Sequence, residues 1–225
     1  MPLLPECLVK KTTLYETALE NQDNQIRTGS YCMINPSASS TDPFPTNNRR
    51  IAIVGTTGSG KTTLARQLSG RLGIPHVELD AIRHGPNWKE MPDENFRKCV
   101  SRALSGRSWV VDGNYGIVRD LVWPKATILV WLDYPLRVVM WQLFWRTVRR
   151  CATREELWNG NQERFWTQFC TKDSLFLWAL STHKRHRRDF PVLLGKPEHA
   201  HLKVVHLHSS KATRQWLSGV TTTRR

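Results

Sequence analysis

The run Gly55-Thr56-Thr57-Gly58-Ser59-Gly60-Lys61-Thr62 constrains what this chain can fold into more than any other feature. It fits GxxxxGK[ST], and the flanks fit as well. Ile51-Ala52-Ile53-Val54 reads as a short buried strand before it, and Thr63-Leu64-Ala65-Arg66-Gln67-Leu68 as an amphipathic helix after it. Glycines let the backbone take positive φ, so successive N–H groups turn inward toward phosphate oxygens. The positive end of the following helix dipole adds to that cradle. The pattern assigns phosphate binding to Gly55, Thr56, Thr57, Gly58, Ser59, Gly60, Lys61, Thr62 and Thr63. Lys61 would reach the β- and γ-phosphates of ATP, and the Thr62 hydroxyl would face Mg²⁺.

The remaining apolar runs alternate with helical stretches. Strands are expected at His76–Leu79, Ser108–Val111, Thr127–Leu132 and Lys203–Leu207. Helices are expected at Asp93–Leu104, about Leu136–Arg150, about Gln162–His186 and from Thr213 to Leu217. Short apolar strands between helices imply an α/β fold with a five-stranded parallel sheet covered on both faces. Ligands in such sheets sit at the carboxyl ends of the strands. Aspartates stand at three of those ends: Asp80, Asp112 and Asp133. Trp109-Val110-Val111-Asp112 suits a carboxylate that supports Mg²⁺ opposite Thr62. Asp80 suits a carboxylate that orients or deprotonates an acceptor hydroxyl. Asp133, before Tyr134-Pro135, reads as the N-cap of the next helix.

The chain carries 33 Lys and Arg against 19 Asp and Glu, a net charge of +14, which points to an anionic partner. The charge is unevenly placed. Residues 1–48 have a net −2, and residues 35–48 are polar with three prolines, so 1–48 is expected as a disordered extension. The folded domain is then 49–219, followed by a disordered tail, 220–225. Five cysteines without a CxxC pair read as reduced thiols of a cytoplasmic protein. No apolar stretch approaches the roughly 20 residues of a membrane span.

Residues 137–188 hold eleven Lys and Arg against four acids. Arg146 and Arg150 stand i,i+4 and share a helix face, with Arg154 beyond them. Phosphoryl transfer spreads charge that guanidinium groups stabilise, so these three are the candidates for a closing lid, about 146–164. The basic end of the helix after it, Lys184-Arg185-His186-Arg187-Arg188, also allows nucleic-acid binding, which is the less favoured partner. Most of the ten tryptophans are expected in the core. His199/His201 and His206/His208 alternate, but no cysteine or acid stands near them at zinc-finger spacing, which argues against zinc there.

The chain from Arg50 to Leu217 resembles the adenylate-kinase-like P-loop proteins, and more closely a bacterial topology-modulation (FlaR-type) subgroup. The resemblance lies in the P-loop, in Leu79-Asp80 with Pro86-Asn87-Trp88, and in Trp109–Tyr115. It continues in Leu132-Asp133-Tyr134-Pro135 with Arg137, and in Glu156-Leu157-Trp158-Asn159-Gly160-Asn161. It implies an acceptor-binding segment after the second strand, a lid after the fourth, and adenine near the loop at His208–Lys211. Adenylate kinases follow the third strand with a DGFPR-like run whose arginine binds the acceptor nucleotide. Here Asp112-Gly113-Asn114-Tyr115-Gly116 lacks that arginine, which argues against AMP as acceptor and leaves ATP as donor.

The expected function is therefore Mg²⁺-dependent transfer of the ATP γ-phosphoryl group to a small acceptor: a nucleotide, a sugar or another hydroxyl compound. A nucleic-acid-associated ATPase and a non-catalytic nucleotide-binding regulator are the alternatives.

Overall fold

The structure, a computed structural model, describes residues 48–153, 157–160 and 175–220. The expected extension up to residue 47, Arg154, the start of the helix placed at 162–186, and residues 221–225 lie outside the described residues.

Five parallel strands form one sheet: β1 (Arg50–Gly55), β2 (His76–Glu78), β3 (Trp109–Asp112), β4 (Ile128–Leu132) and β5 (Lys203–Leu207), in the order β2-β3-β1-β4-β5. This is the α/β sheet that the alternation of strand and helix predicts. Ile51 pairs with Val110 on one side and Ile128 on the other, so β1 is central. The chain leaves β1 toward β3 and β2, then returns to its other side with β4 and β5. Beyond its carboxyl end lies the crevice where that direction reverses.

The sheet is buried on both faces because side chains alternate along each strand. Ile51 and Ile53 face one core with Val110, Ile128 and Val130; Ala52 and Val54 face the other with Trp109, Val111 and Leu129. The first core is closed by α1 (Lys61–Leu72), α5 (Leu136–Thr153) and α7 (Ser210–Ser218), through Leu64, Leu68, Val139, Trp216 and Leu217. The second is closed by α2 (Leu79–Arg83), α3 (Asp93–Ala103), α4 (Arg119–Val122) and α6 (Leu175–Leu194), through Leu79, Phe96, Val100, Val122 and Phe190. Two-sided burial is why the strands read as unbroken apolar runs rather than alternating ones.

Several boundaries differ from the sequence reading. The described part of the 162–186 helix begins at Leu175 and runs on to Leu194 through Pro191. Burial of Phe190 and Leu194 against the sheet outweighs the bond that proline removes. α7 starts at Ser210, earlier than Thr213, because Ser209 caps it by accepting from the Ala212 N–H at 3.1 Å. Val220, placed at the head of the tail, is buried in the first core. Of the expected lid, 146–153 is the end of α5, and 154–156 and 161–164 lie outside the described residues.

The tryptophans correct another expectation. Trp109, Trp123, Trp131 and Trp216 are core, but Trp88, Trp141, Trp145 and Trp178 are exposed. The i,i+4 pair Trp141/Trp145 packs edge to face on itself, on the outer side of α5, rather than into the sheet. Among the described residues no helix is long and apolar enough to cross a membrane.

Candidate active site

The loop after β1 turns through Gly58 (φ +82°) and Gly60 (φ +87°) into the first turn of α1. The two glycines are required for different reasons. A Cβ on Gly58 would stand 2.9 Å from Leu143 Cβ and 3.1 Å from the Val139 carbonyl, so α5 presses directly on the loop. A Cβ on Gly60 would meet nothing within 4 Å, so there the backbone conformation alone demands glycine. Thr56 and Ser59 are buried beneath the loop, and Thr63 points outward on α1.

Lys61 Nζ donates to the carbonyls of Gly55 (3.0 Å) and Thr56 (3.1 Å), which holds the ammonium across the mouth of the loop. Burial lowers its pKa below the ordinary lysine value. Asp80 and Asp112 oppose that lowering, and Arg146 adds to it. The folded chain therefore brings four of the sequence-predicted groups into one field: Lys61, Asp80, Asp112 and Arg146. Arg150 lies one turn beyond Arg146 on the same helix and is half-buried.

Asp112 ends β3 and is 3% exposed. Its Oδ2 accepts from Thr62 Oγ1 at 2.6 Å, and its Oδ1 lies 2.7 Å from His76 Nε2. His76, the first residue of β2, was not among the sequence candidates. It is delivered by strand register, with His76 beside Val110 and Glu78 beside Asp112, and no local pattern announces it.

The residues after Asp112 are also put to work. Asn114 clamps the Gly55 peptide at both ends. Its Oδ1 accepts from the Gly55 N–H at 3.3 Å, and its Nδ2 donates to the Gly55 carbonyl. Tyr115 donates to Asp80 Oδ1 at 2.7 Å. Burial, with the negative charge of Asp80, raises the Tyr115 pKa, so the phenol remains a neutral donor. The Tyr115 oxygen is also 3.4 Å from His84 Nε2.

His84 begins an aromatic wall. Its ring stacks on Trp158 with centroids 6.4 Å apart, and Trp88 meets both edge-on. Asn159 Nδ2 donates to the His84 carbonyl at 2.6 Å. The segment after β2 and the segment after α5 are thereby tied together beside Asp80. The loop between α2 and α3 is pinned by Arg83, which pairs with Glu90 (2.6 Å) and Asp93 (2.7 Å) and donates to the Met91 carbonyl. Asp93 is thus engaged by Arg83, and the N-cap position of α3 is Pro92.

Helix α6 contributes from the far side. Burial, joined by Lys61, Arg185, Arg119 and His183, lowers the pKa of His186 to about 3, so its ring is neutral. His186 stacks on Phe190, which carries it from the second core toward the Lys61 side. Its place in a basic run hid it in the sequence.

Asp133 does not behave as a helix cap. Its carboxylate takes Arg187 Nε at 2.6 Å and lies 3.1 Å from His206 Nε2. Burial would raise the Asp133 carboxyl, but the bonds from His206 and Arg187 outweigh it and hold the group below the usual range.

No family model matches the chain. It is similar to the shikimate kinase of Synechococcus elongatus, at 26% identity over 53% of this chain and 74% of that protein. It is also similar to the shikimate kinase of Rhodopseudomonas palustris, at 28% identity over 48% and 58% of the respective chains. Among solved structures it is similar to a gluconokinase from Sinorhizobium meliloti 1021, with a TM-score of 0.45, 18% identity, and coverage of 77% of this chain and 91% of that one. A shikimate kinase from Bacteroides thetaiotaomicron gives a TM-score of 0.45, 15% identity, and coverage of 76% and 94%. The parallel sheet, its strand order and the loop after β1, taken with the sequence relatives, are those of a P-loop kinase-like fold.

Proposed function

We propose that this chain is an ATP-dependent phosphotransferase that moves the γ-phosphoryl group of ATP to a hydroxyl group of a small acceptor. The observation that carries this is the convergence of Thr62 Oγ1 and Asp112 Oδ2, 2.6 Å apart, beside Lys61 and beneath the glycine loop. Two hard oxygen donors at the mouth of an amide-lined loop suit Mg²⁺ on a nucleotide triphosphate. The open space over Gly60, where a side chain would meet nothing, leaves room for the phosphates themselves. Bound there, Mg²⁺ supplies neutralising charge to the phosphate oxygens.

The chain's own groups divide the remaining work. Lys61 and the amides of residues 58–63 hold the phosphates. His76 fixes the Asp112 carboxylate through Oδ1, leaving Oδ2 on the Thr62 side. Asn114 sets the start of the loop. Asp80, held by Tyr115, takes the proton of the acceptor hydroxyl. Arg146 lies close enough to Lys61 to share the charge that develops on the transferred group. Arg150 and Arg154 remain the lid candidates.

The acceptor meets Asp80, Tyr115 and the wall of His84, Trp88 and Trp158. A carboxylate held by Tyr115 beside these rings suits an acceptor that brings a hydroxyl group to Asp80 and an apolar face to the wall. The relatives named as shikimate kinases make shikimate the first acceptor to try. The runs Asp112–Tyr115 and Glu156–Asn161 carry the narrower resemblance to the topology-modulation subgroup, and Tyr115 and Trp158, one from each, stand beside Asp80 and in the wall.

The test is ADP formation from MgATP over a panel of small hydroxyl compounds, with shikimate among them. At least one acceptor is expected to raise turnover well above the hydrolysis background. Saturable ATP binding with no acceptor-dependent turnover would reduce the protein to a nucleotide-binding regulator. No saturable binding by folded protein would remove the reading altogether.

A further inference from the structure

The carboxyl ends of β4 and β5 hold a second cluster, built without the P-loop. Asp133, His206 and His208 each direct one ligand-type atom at the others, and these atoms all lie within 4.8 Å of one another. We propose that they form a transition-metal site of the Zn²⁺ class, separate from the oxygen site at Thr62 and Asp112.

Strand geometry makes the cluster. His206 and His208 are two apart at the end of β5, so their side chains leave on the same face. The register that pairs Leu132 with Leu207 is prolonged by the Asp133 N–H, which donates to the Leu207 carbonyl at 2.9 Å. The carboxylate is therefore held between the two imidazoles. Asp133 Oδ2 is 3.1 Å from His206 Nε2 and 3.7 Å from His208 Nδ1. Ligand atoms about 2.0–2.1 Å from a tetrahedral Zn²⁺ stand about 3.3–3.4 Å apart; the two Asp133 separations bracket that spacing, and the two imidazoles, at most 4.8 Å apart, close on the ion by rotation of the exposed His208 ring.

Supporting contacts aim each ligand. The His206 ring stacks on Trp131 with centroids 3.9 Å apart and planes 6° from parallel, which presents its Nε2 edge to Asp133. Arg187 Nε donates to Asp133 Oδ1 at 2.6 Å and leaves Oδ2 as the oxygen turned toward both histidines. Such outer contacts characterise built metal sites. His208 is 66% exposed, so one side is open to solvent for entry of the ion and for a water as fourth ligand. Two imidazoles and one carboxylate favour Zn²⁺ or Co²⁺ over Mg²⁺, which prefers oxygen ligands alone. The Arg187 charge opposes any cation, so binding is weaker than at an all-neutral His site. Local spacing argued against zinc because the acid lies 73 residues from His206 in sequence and arrives only through β4.

The test uses the full chain without an affinity tag, titrated with Co²⁺ in excess Mg²⁺ and followed by visible absorption, then displaced with Zn²⁺. One equivalent is expected, with the spectrum of tetrahedral nitrogen and oxygen ligation and no thiolate band. His208→Ala should weaken uptake at least about tenfold while thermal unfolding without metal is unchanged, because that ring is exposed. His208→Cys should restore binding and add a thiolate band. Absence of stoichiometric uptake, a thiolate band in the unmodified chain, or an unchanged affinity in His208→Ala would each overturn the proposal.

Discussion

The phosphate loop and the acceptor wall adjoin each other but are built in opposite ways. The loop is nine consecutive residues, Gly55 to Thr63, bracketed by one strand and one helix. The wall is drawn from four separate stretches: Asp80 and His84 on and after α2, Trp88 beyond them, Tyr115 after β3, and Trp158 after α5. A contiguous loop depends on local backbone geometry and can serve any triphosphate. A wall of distant residues depends on the whole fold, and its members can change without disturbing the loop. In the function proposed above, donor chemistry rests on the local element and acceptor choice on the assembled one.

Substitutions on the two sides should separate accordingly. Lys61→Ala should have the largest effect, lowering kcat by about a thousandfold with the fold intact, since it removes the charge aimed at the transferred group. A residual rate near that of the unmodified enzyme would break the assignment of the loop.

Asp80→Asn should lower kcat by about a hundredfold or more while ATP affinity, read by equilibrium titration, stays nearly unchanged. Equal losses in both would mean that the two sides are not separable.

A third effect concerns stability against pH. The folded pKa of His186, about 3, lies below the ordinary histidine value of about 6.5. Between those values the unfolded chain binds the extra proton. The contribution is therefore fully present above about pH 6.5 and is lost as pH falls toward 3. His183 and His199 are lowered by burial in the same direction. His186→Gln should flatten the acid limb of a denaturant-midpoint series; an unchanged limb would show that α6 does not bury this ring near Lys61.

Asn114→Ala should cost about 1–3 kcal/mol of unfolding free energy, because it strips both hydrogen bonds from the Gly55 peptide. Weaker ATP binding should accompany it, and urea melts with nucleotide titration would reveal both. Smallest of all, a double-mutant cycle on Trp88 and Trp158 should return a coupling of about 0.5–1.5 kcal/mol in the same melts. Zero coupling would mean that the wall is two unrelated side chains.

Much of this protein is legible in its sequence. The GxxxxGK[ST] run with its strand and helix, the apolar strands and the aspartate ending β3 are local patterns. Local patterns are set by backbone conformation and by burial of adjacent side chains. Asp112 beside Thr62 followed from them, because the end of β3 and the first turn of the helix that follows its neighbour β1 lie at the same edge of a parallel sheet.

Other features had no local signal. His76 reaches Asp112 by register between neighbouring strands, and Asn114 reaches Gly55 across 59 residues. Asp133 has the sequence context of a cap, yet its carboxylate is taken by Arg187 at 2.6 Å and by His206 at 3.1 Å, partners that only the fold brings to it. Trp141 and Trp145 carry helical spacing, which shows that they share a face but not which way that face looks. Sequence by itself therefore determined the elements and the donor loop, where neighbours in the chain are neighbours in space. Only the tertiary structure decided the acceptor wall and the Asp133 cluster, because their members meet through strand order and helix packing.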